Sequence, residues 1–102
     1  MNDESELFSR AHKLLEAKSY EEAIHLFRKV LVEEPNNFAA YNNIGVAQAF
    51  LGIKGRDKSL LQSATQHFQR AIALASESVP INRYETAENN LKWAEKEVKK
   101  IS

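Results

Sequence analysis

Apolar residues recur along the chain at steps of three and four, in five blocks separated by short polar or Pro- and Gly-containing breaks. Leu7, Ala11 and Leu14 begin the pattern, Ala23, Phe27 and Val30 continue it, and Tyr84, Ala87, Leu91, Ala94, Val98 and Ile101 close it. That spacing puts the apolar side chains on one face of an α-helix, and the strict alternation of a strand is nearly absent. Each block opens on a start signal, a capping side chain with an acid or amide three residues on. Asp3 pairs with Glu6 and Ser19 with Glu22, and Asn36 or Asn37 precedes the third block. Ser59 with Gln62 lies in the first turn of the fourth, which has Asp57 as the alternative start; Ser78 before Pro80, or Asn82 with Glu85, begins the fifth. The pattern predicts helices over 4–18, 20–34, 37–52, 57–76 and 80–100, an all-α domain of antiparallel neighbours on short loops. The length of 102 residues fits one domain, 1–102.

The third block, "YNNIGVAQAFLG" at 41–52, is apolar enough for burial but carries Gly45, Ala47 and Ala49 where a core helix would have Leu or Ile. Interior Gly costs about 1 kcal/mol against Ala in a helix, so a close neighbour is expected to require it. A phosphate loop is not the reason. Gly52 and Gly55 lack the preceding strand that a nucleotide fingerprint needs.

The blocks also repeat. "YEEAIHLFRKVL" at 20–31 echoes "LQSATQHFQRAI" at 61–72, with Ala23 on Ala64 and Phe27 on Phe68; "NNI" at 42–44 falls on "NNL" at 89–91. With Leu7, Ala11, Leu14, Tyr20, Ala23, Phe27, Val30 and Pro35 in one unit, and Tyr41, Ile44, Gly45, Ala64, Phe68 and Ala71 in the next, the chain resembles the tetratricopeptide repeat (TPR) family, whose unit is a helix A–helix B pair of about 34 residues. The resemblance implies repeat one at 4–37, repeat two at 38–78 and a capping helix at 80–100, stacked as a short right-handed superhelix of five helices. It implies that Gly45 faces Ala64 where helices A and B of repeat two approach. Arg10 stands where the family has Leu, Val30 where it has Ala, and Ser76 where it has Pro. Repeat two is longer than the family unit by seven residues within "IKGRDKSLLQ", which is about two helical turns. The expected place for them is an N-terminal extension of the fourth helix, after a Gly-bracketed turn; the alternatives are that they lengthen the third helix or form an ordered loop.

TPR domains bind a peptide or helix of a partner protein on the concave face of their A helices, so the resemblance implies a protein–protein interaction module. The groove positions carry over as Ser5, Phe8, His12 and Leu15; as Ala39, Asn42, Val46 and Ala49; and as Thr86, Asn89, Trp93 and Lys96. Phe50 and Asn43 complete the candidate surface, apolar with amides that suit the N–H and C=O groups of an extended peptide. The family's chaperone-tail clamps need Lys, Arg and Asn where this chain has Phe8, His12, Asn43, Thr86 and Asn90. Only Asn43 matches, so a terminal carboxylate pair finds little to bind. Trp93 lies off the apolar stripe of the fifth helix, and two roles stand for it: a binding hot spot, or packing against Phe50 or the fourth helix.

Fourteen basic and fourteen acidic side chains cancel, which argues against the basic footprint of a nucleic-acid binder. The halves differ. Residues 1–50 hold five basic and eight acidic groups, and 51–102 nine and six, giving −3 and +3. There is no cysteine, and no apolar run approaches the ~18 residues of a membrane span; the N-terminus lacks the n- and h-regions of a signal peptide. These features lead to the expectation of a cytoplasmic protein with no membrane partner. His12 with Glu16, and Glu21 with His25, have i,i+4 spacing, but no third metal ligand follows. His25 and His67 are expected on the outer face. Serines sit at helix starts where capping accounts for them, and none is set beside a His with an orienting acid. An enzyme, a metal and a cofactor are therefore not expected. The competing class is a self-assembling scaffold, a homo-oligomer through the groove or the C-terminal helix, because two repeats fall short of the roughly three such arrays need.

Overall fold

The computed structural model describes residues 3–78 and 85–101. Among them are five helices and no strand: α1 (Asp3–Glu16), α2 (Tyr20–Glu33), α3 (Phe38–Gly55), α4 (Lys58–Ser78) and α5 (Glu85–Lys100). The expected start of the fifth helix at Ser78, Pro80 or Asn82, and Tyr84 of its stripe, lie outside what is described, Ser78 as regards its side chain. Two start signals act as capping chemistry requires. The Asn37 side chain accepts from the Ala40 N–H at 3.0 Å, and Asp57 Oδ1 accepts from the Leu60 N–H at the same distance, each satisfying a donor with no partner inside its helix. Ser19 precedes α2 but its hydroxyl makes no capping bond. At the other ends Lys18 and Arg56 adopt left-handed conformations, with φ of 66° and 50°, and the Arg56 N–H closes α3 onto the Gly52 and Ile53 carbonyls.

Each helix packs against the next in the chain, while α1 also touches α3 and α3 touches α5. The odd-numbered helices thus lie side by side in one layer, with α2 and α4 behind. Phe27 and Phe68, both fully buried, are the large side chains of the two halves. Around Phe27 gather Ala11, Ala23, Ile24, Val30, Ala40, Ile44 and Ala47; around Phe68 gather Ala49, Leu61, Ala64 and Ala94. Leu91 and Val98 of α5, and Ile101 just after it, pack on the second cluster. The α5 stripe thus packs inside the chain, against residues of α3 and α4.

The requirement at Gly45 is confirmed, but its partner differs from the expected Ala64. A Cβ on Gly45 would lie 2.6–2.9 Å from three ring carbons of Phe68, closer than any real contact permits. A small residue here makes room for a ring, one turn further along α4 than Ala64.

The seven extra residues fall only in part where expected. The third helix does not stop near Gly52 but runs unbroken through it to Gly55, and the fourth begins at Lys58 behind its Asp57 cap. The insertion is shared between the two. An antiparallel hairpin can grow only by adding equal rise to both helices, since length added to one alone would hang past its partner without burial. Gly52 shows the new rung: a Cβ there would lie 2.8 Å from Leu61 Cγ and 3.2 Å from the Leu61 backbone N. Gly52 stands seven residues after Gly45, and Leu61 seven before Phe68, the displacement an antiparallel pair requires. Between the rungs the buried Gln48 side-chain carbonyl accepts from the Ser63 hydroxyl at 3.3 Å.

Candidate functional site

Helix register places Phe50 near the end of α3, Trp93 mid-way along α5 and Tyr20 in the first turn of α2. The fold brings these three rings into one ladder. Phe50 stacks on Tyr20 with centroids 5.3 Å apart and planes within 15°, and meets Trp93 at 5.2 Å and 58°. Phe50 is nevertheless 41% exposed. A large ring held from two sides and open on a third is preorganised, because its rotamer is fixed before anything lands on it. Val46, one turn before Phe50, and Trp93 both pack on the second core cluster, which anchors the ladder from below.

Next to the aromatic ladder, α3 and α5 are tied by a polar contact: Asn90 Nδ2 donates to Asn42 Oδ1 at 3.1 Å. Asn42 is thus partly committed to holding its own helices together, and is less free for a peptide than its sequence position implies. Asn43 is half-buried, and Asn89 and Lys96 are exposed on α5.

The three candidates on α1 do not join the ladder. Phe8 turns inward and meets the buried Phe27 edge-on at 5.4 Å, and Leu15 packs on the first core cluster. His12 is exposed, with its Nδ1 3.4 Å from Glu16; an exposed pair of this kind contributes under about 1 kcal/mol. The candidate surface therefore narrows to Val46, Phe50, Trp93 and the neighbouring amides, with Tyr20 added. Tyr20 was legible only as a core position of repeat one, and its exposed edge follows from being the first residue of α2, where the chain turns under the end of α3.

The other histidines divide. His25 is exposed as expected, whereas His67 is half-buried, with Nδ1 2.9 Å from the Ser63 carbonyl and its ring 6.1 Å from Tyr41. Among the described residues no group of three or more His, Asp or Glu is placed to hold a metal ion, and no helix is long and apolar enough to cross a membrane.

One hollow lies away from the ladder. A cleft of about 620 Å³ opens between α1 and α2, and one of about 470 Å³ lies below Tyr20, bounded by Ser19, Leu51 and Lys54. The ladder, rather than either cleft, marks the candidate site, since a preorganised exposed aromatic is a stronger sign of recognition than an open hollow. A scan against protein-family models finds no match to the chain, and a search of curated proteins finds none either.

Proposed function

We propose that the protein is a TPR-like interaction module that receives a short segment of a partner protein on the face of its odd-numbered helices, centred on Phe50 and Trp93. The observation that carries this reading is the exposed Phe50, clamped between Tyr20 and Trp93 from two other helices. An exposed ring in such a clamp offers apolar area at little further cost in side-chain entropy, which is what an anchor site for a peptide or amphipathic helix provides. The amides Asn43, two turns before Phe50 on α3, and Asn89, one turn before Trp93 on α5, suit backbone groups of a bound segment. Two repeats give a shallow surface, so the affinity belongs in the micromolar range.

Trp93 is the chain's single tryptophan, so its fluorescence reports on this site alone. Peptides selected from a random display library against the immobilised protein are expected to shift Trp93 emission. Phe50→Ala, at a part-exposed position, is expected to weaken their binding at least about tenfold with the circular dichroism of the parent retained. Peptides that leave the emission unchanged and bind Phe50→Ala as well as the parent would place recognition on another face.

A further inference from the structure

The cleft between α1 and α2 has walls of opposite charge. Arg10 and Lys13 of α1 form one rim and Glu21, Glu22 and His25 of α2 the other, all five exposed, while the half-buried Leu14 and Leu26 line the floor. Among the described residues no ion pair closes either wall, the pairs there being His12–Glu16 and Glu97–Lys100; Lys18 and Lys54 share a second hollow with Glu21 and Glu22 without pairing with them. An occupant must therefore bring apolar groups to the middle, acids over α1 and bases over α2. The α1–α2 edge of a second copy meets that description. Rotation by a half-turn about an axis parallel to the two helices, lying in the plane of contact, carries α1 of one copy over α2 of the other and keeps every residue at its own level along the helices. Lys13 then stands level with the second copy's Glu21 and Glu22, Arg10 lies about one turn further along, level with its His25, and the same pairs form again by symmetry. Rotation about the perpendicular in-plane axis would set α1 on α1 and like charge on like. The charge pattern selects the first arrangement.

We infer that the protein self-associates as a two-fold dimer through the α1–α2 edge, forming a four-helix contact with Leu14 and Leu26 of both copies at its centre. This edge adjoins the Phe50–Trp93 face at Tyr20, which shares a hollow with Glu21 and Glu22, and the inference does not rest on the binding proposed there. The opposite end of the molecule lacks the same sorting. The hollow between α4 and α5 has Glu95 and Lys99 on one helix beside Gln62, Thr65 and Val98, so a head-to-tail stack finds no matching rims. Two helices of fourteen residues, each about 21 Å long and 10 Å across, give a footprint of roughly 400 Å² per copy, against roughly 800 Å² in a stable complex. The dimer is accordingly weak, forming at high micromolar concentration and weakening as salt screens the rims.

Sedimentation equilibrium over a concentration series tests the arrangement. The parent is expected to dimerise reversibly. Arg10→Glu with Lys13→Glu, or Glu21→Lys with Glu22→Lys, is expected to weaken self-association at least about tenfold, because both symmetric contacts then oppose like charges. All four substitutions in one chain restore opposite rims and are expected to restore the dimer, which a folding defect would not do. A monomeric parent at every concentration, a dimer indifferent to either reversal, or failure of the fourfold variant to recover would each overturn the inference.

Discussion

The two hairpins solve the same packing problem with different residues. In α1–α2, two helices of fourteen residues close around Phe27, and Phe8 meets that ring edge-on. In α3–α4, helices of eighteen and twenty-one residues close around Phe68, whose ring lies where a side chain on Gly45 would be. The position equivalent to Phe8 is Asn42, whose amide bonds across to α5 instead of filling the core. The first hairpin thus spends an aromatic on its interior, while the second draws its backbones together with glycine and keeps Phe50 on the surface. Surface aromatics are available for recognition only because glycine and alanine do the packing beneath them.

Truncating Phe68 should break the second hairpin most severely. Phe68→Ala is expected to cost about 3–5 kcal/mol by emptying the core between α3, α4 and α5, and Gly45→Leu about 2–3 kcal/mol by overpacking. Because a leucine at Gly45 collides with the Phe68 ring itself, the double variant should cost less than the two singles together by at least about 1 kcal/mol. Urea denaturation of the three variants measures this. Additive costs would mean that the crowding at Gly45 comes from another neighbour, such as the Ala64 that repeat spacing suggests.

The five helices, their polar breaks and the caps at Asn37 and Asp57 were legible in the sequence, because apolar periodicity and capping chemistry are local. The rungs of the second hairpin were not. Repeat spacing aligned Gly45 with Ala64 by position within a unit, whereas contact depends on how far each ring reaches along the neighbouring helix. Gly52 read as a stop because glycine is a poor helix former, yet tertiary contact with Leu61 overrides that preference of about 1 kcal/mol. At the candidate site, the adjacency of Phe50 and Trp93 followed from register. The inward turn of Phe8 and the arrival of Tyr20 did not, since both depend on where α2 sits beneath the layer of α1, α3 and α5.

The three glycines sharpen the comparison because they occupy one helix and differ in surroundings. A Cβ on Gly52 would crowd the Leu61 side chain and, at 3.2 Å, backbone atoms of Asp57 and Leu61 that cannot move aside. Gly52→Ala is expected to destabilise by about 1–2 kcal/mol despite its better helix propensity. Gly55 has nothing within 4 Å of the same point and a negative φ. Gly55→Ala is expected to stabilise by up to about 1 kcal/mol. Opposite signs three residues apart, read from thermal midpoints, would establish that the added rung is packed in solution; equal signs would return Gly52 to the role of a stop.

The smallest expected difference concerns how each hairpin region begins a helix. Asn37 accepts from the Ala40 N–H at 3.0 Å and donates to Glu34 at 2.8 Å, locking the turn between α2 and α3 from both sides. Ser19 occupies the same place before α2 without a capping bond, its backbone at φ −87° and ψ 68°. That ψ lies below the extended value an N-cap usually adopts. Turn geometry sets this: Lys18 has already entered the left-handed region, and the Ser19 N–H is held by the Leu14 carbonyl at 2.9 Å. The link between α1 and α2 is thus fixed by backbone bonds alone, and the link between α2 and α3 by a side chain as well as the backbone bond from the Asn37 N–H to the Glu34 carbonyl at 3.1 Å. Asn37→Ala is expected to cost about 1 kcal/mol and Ser19→Ala less than about 0.5 kcal/mol, compared by urea midpoints at constant slope. A Ser19→Ala cost equal to that of Asn37→Ala would show that the serine hydroxyl caps α2 in solution and that both junctions rest on the same device.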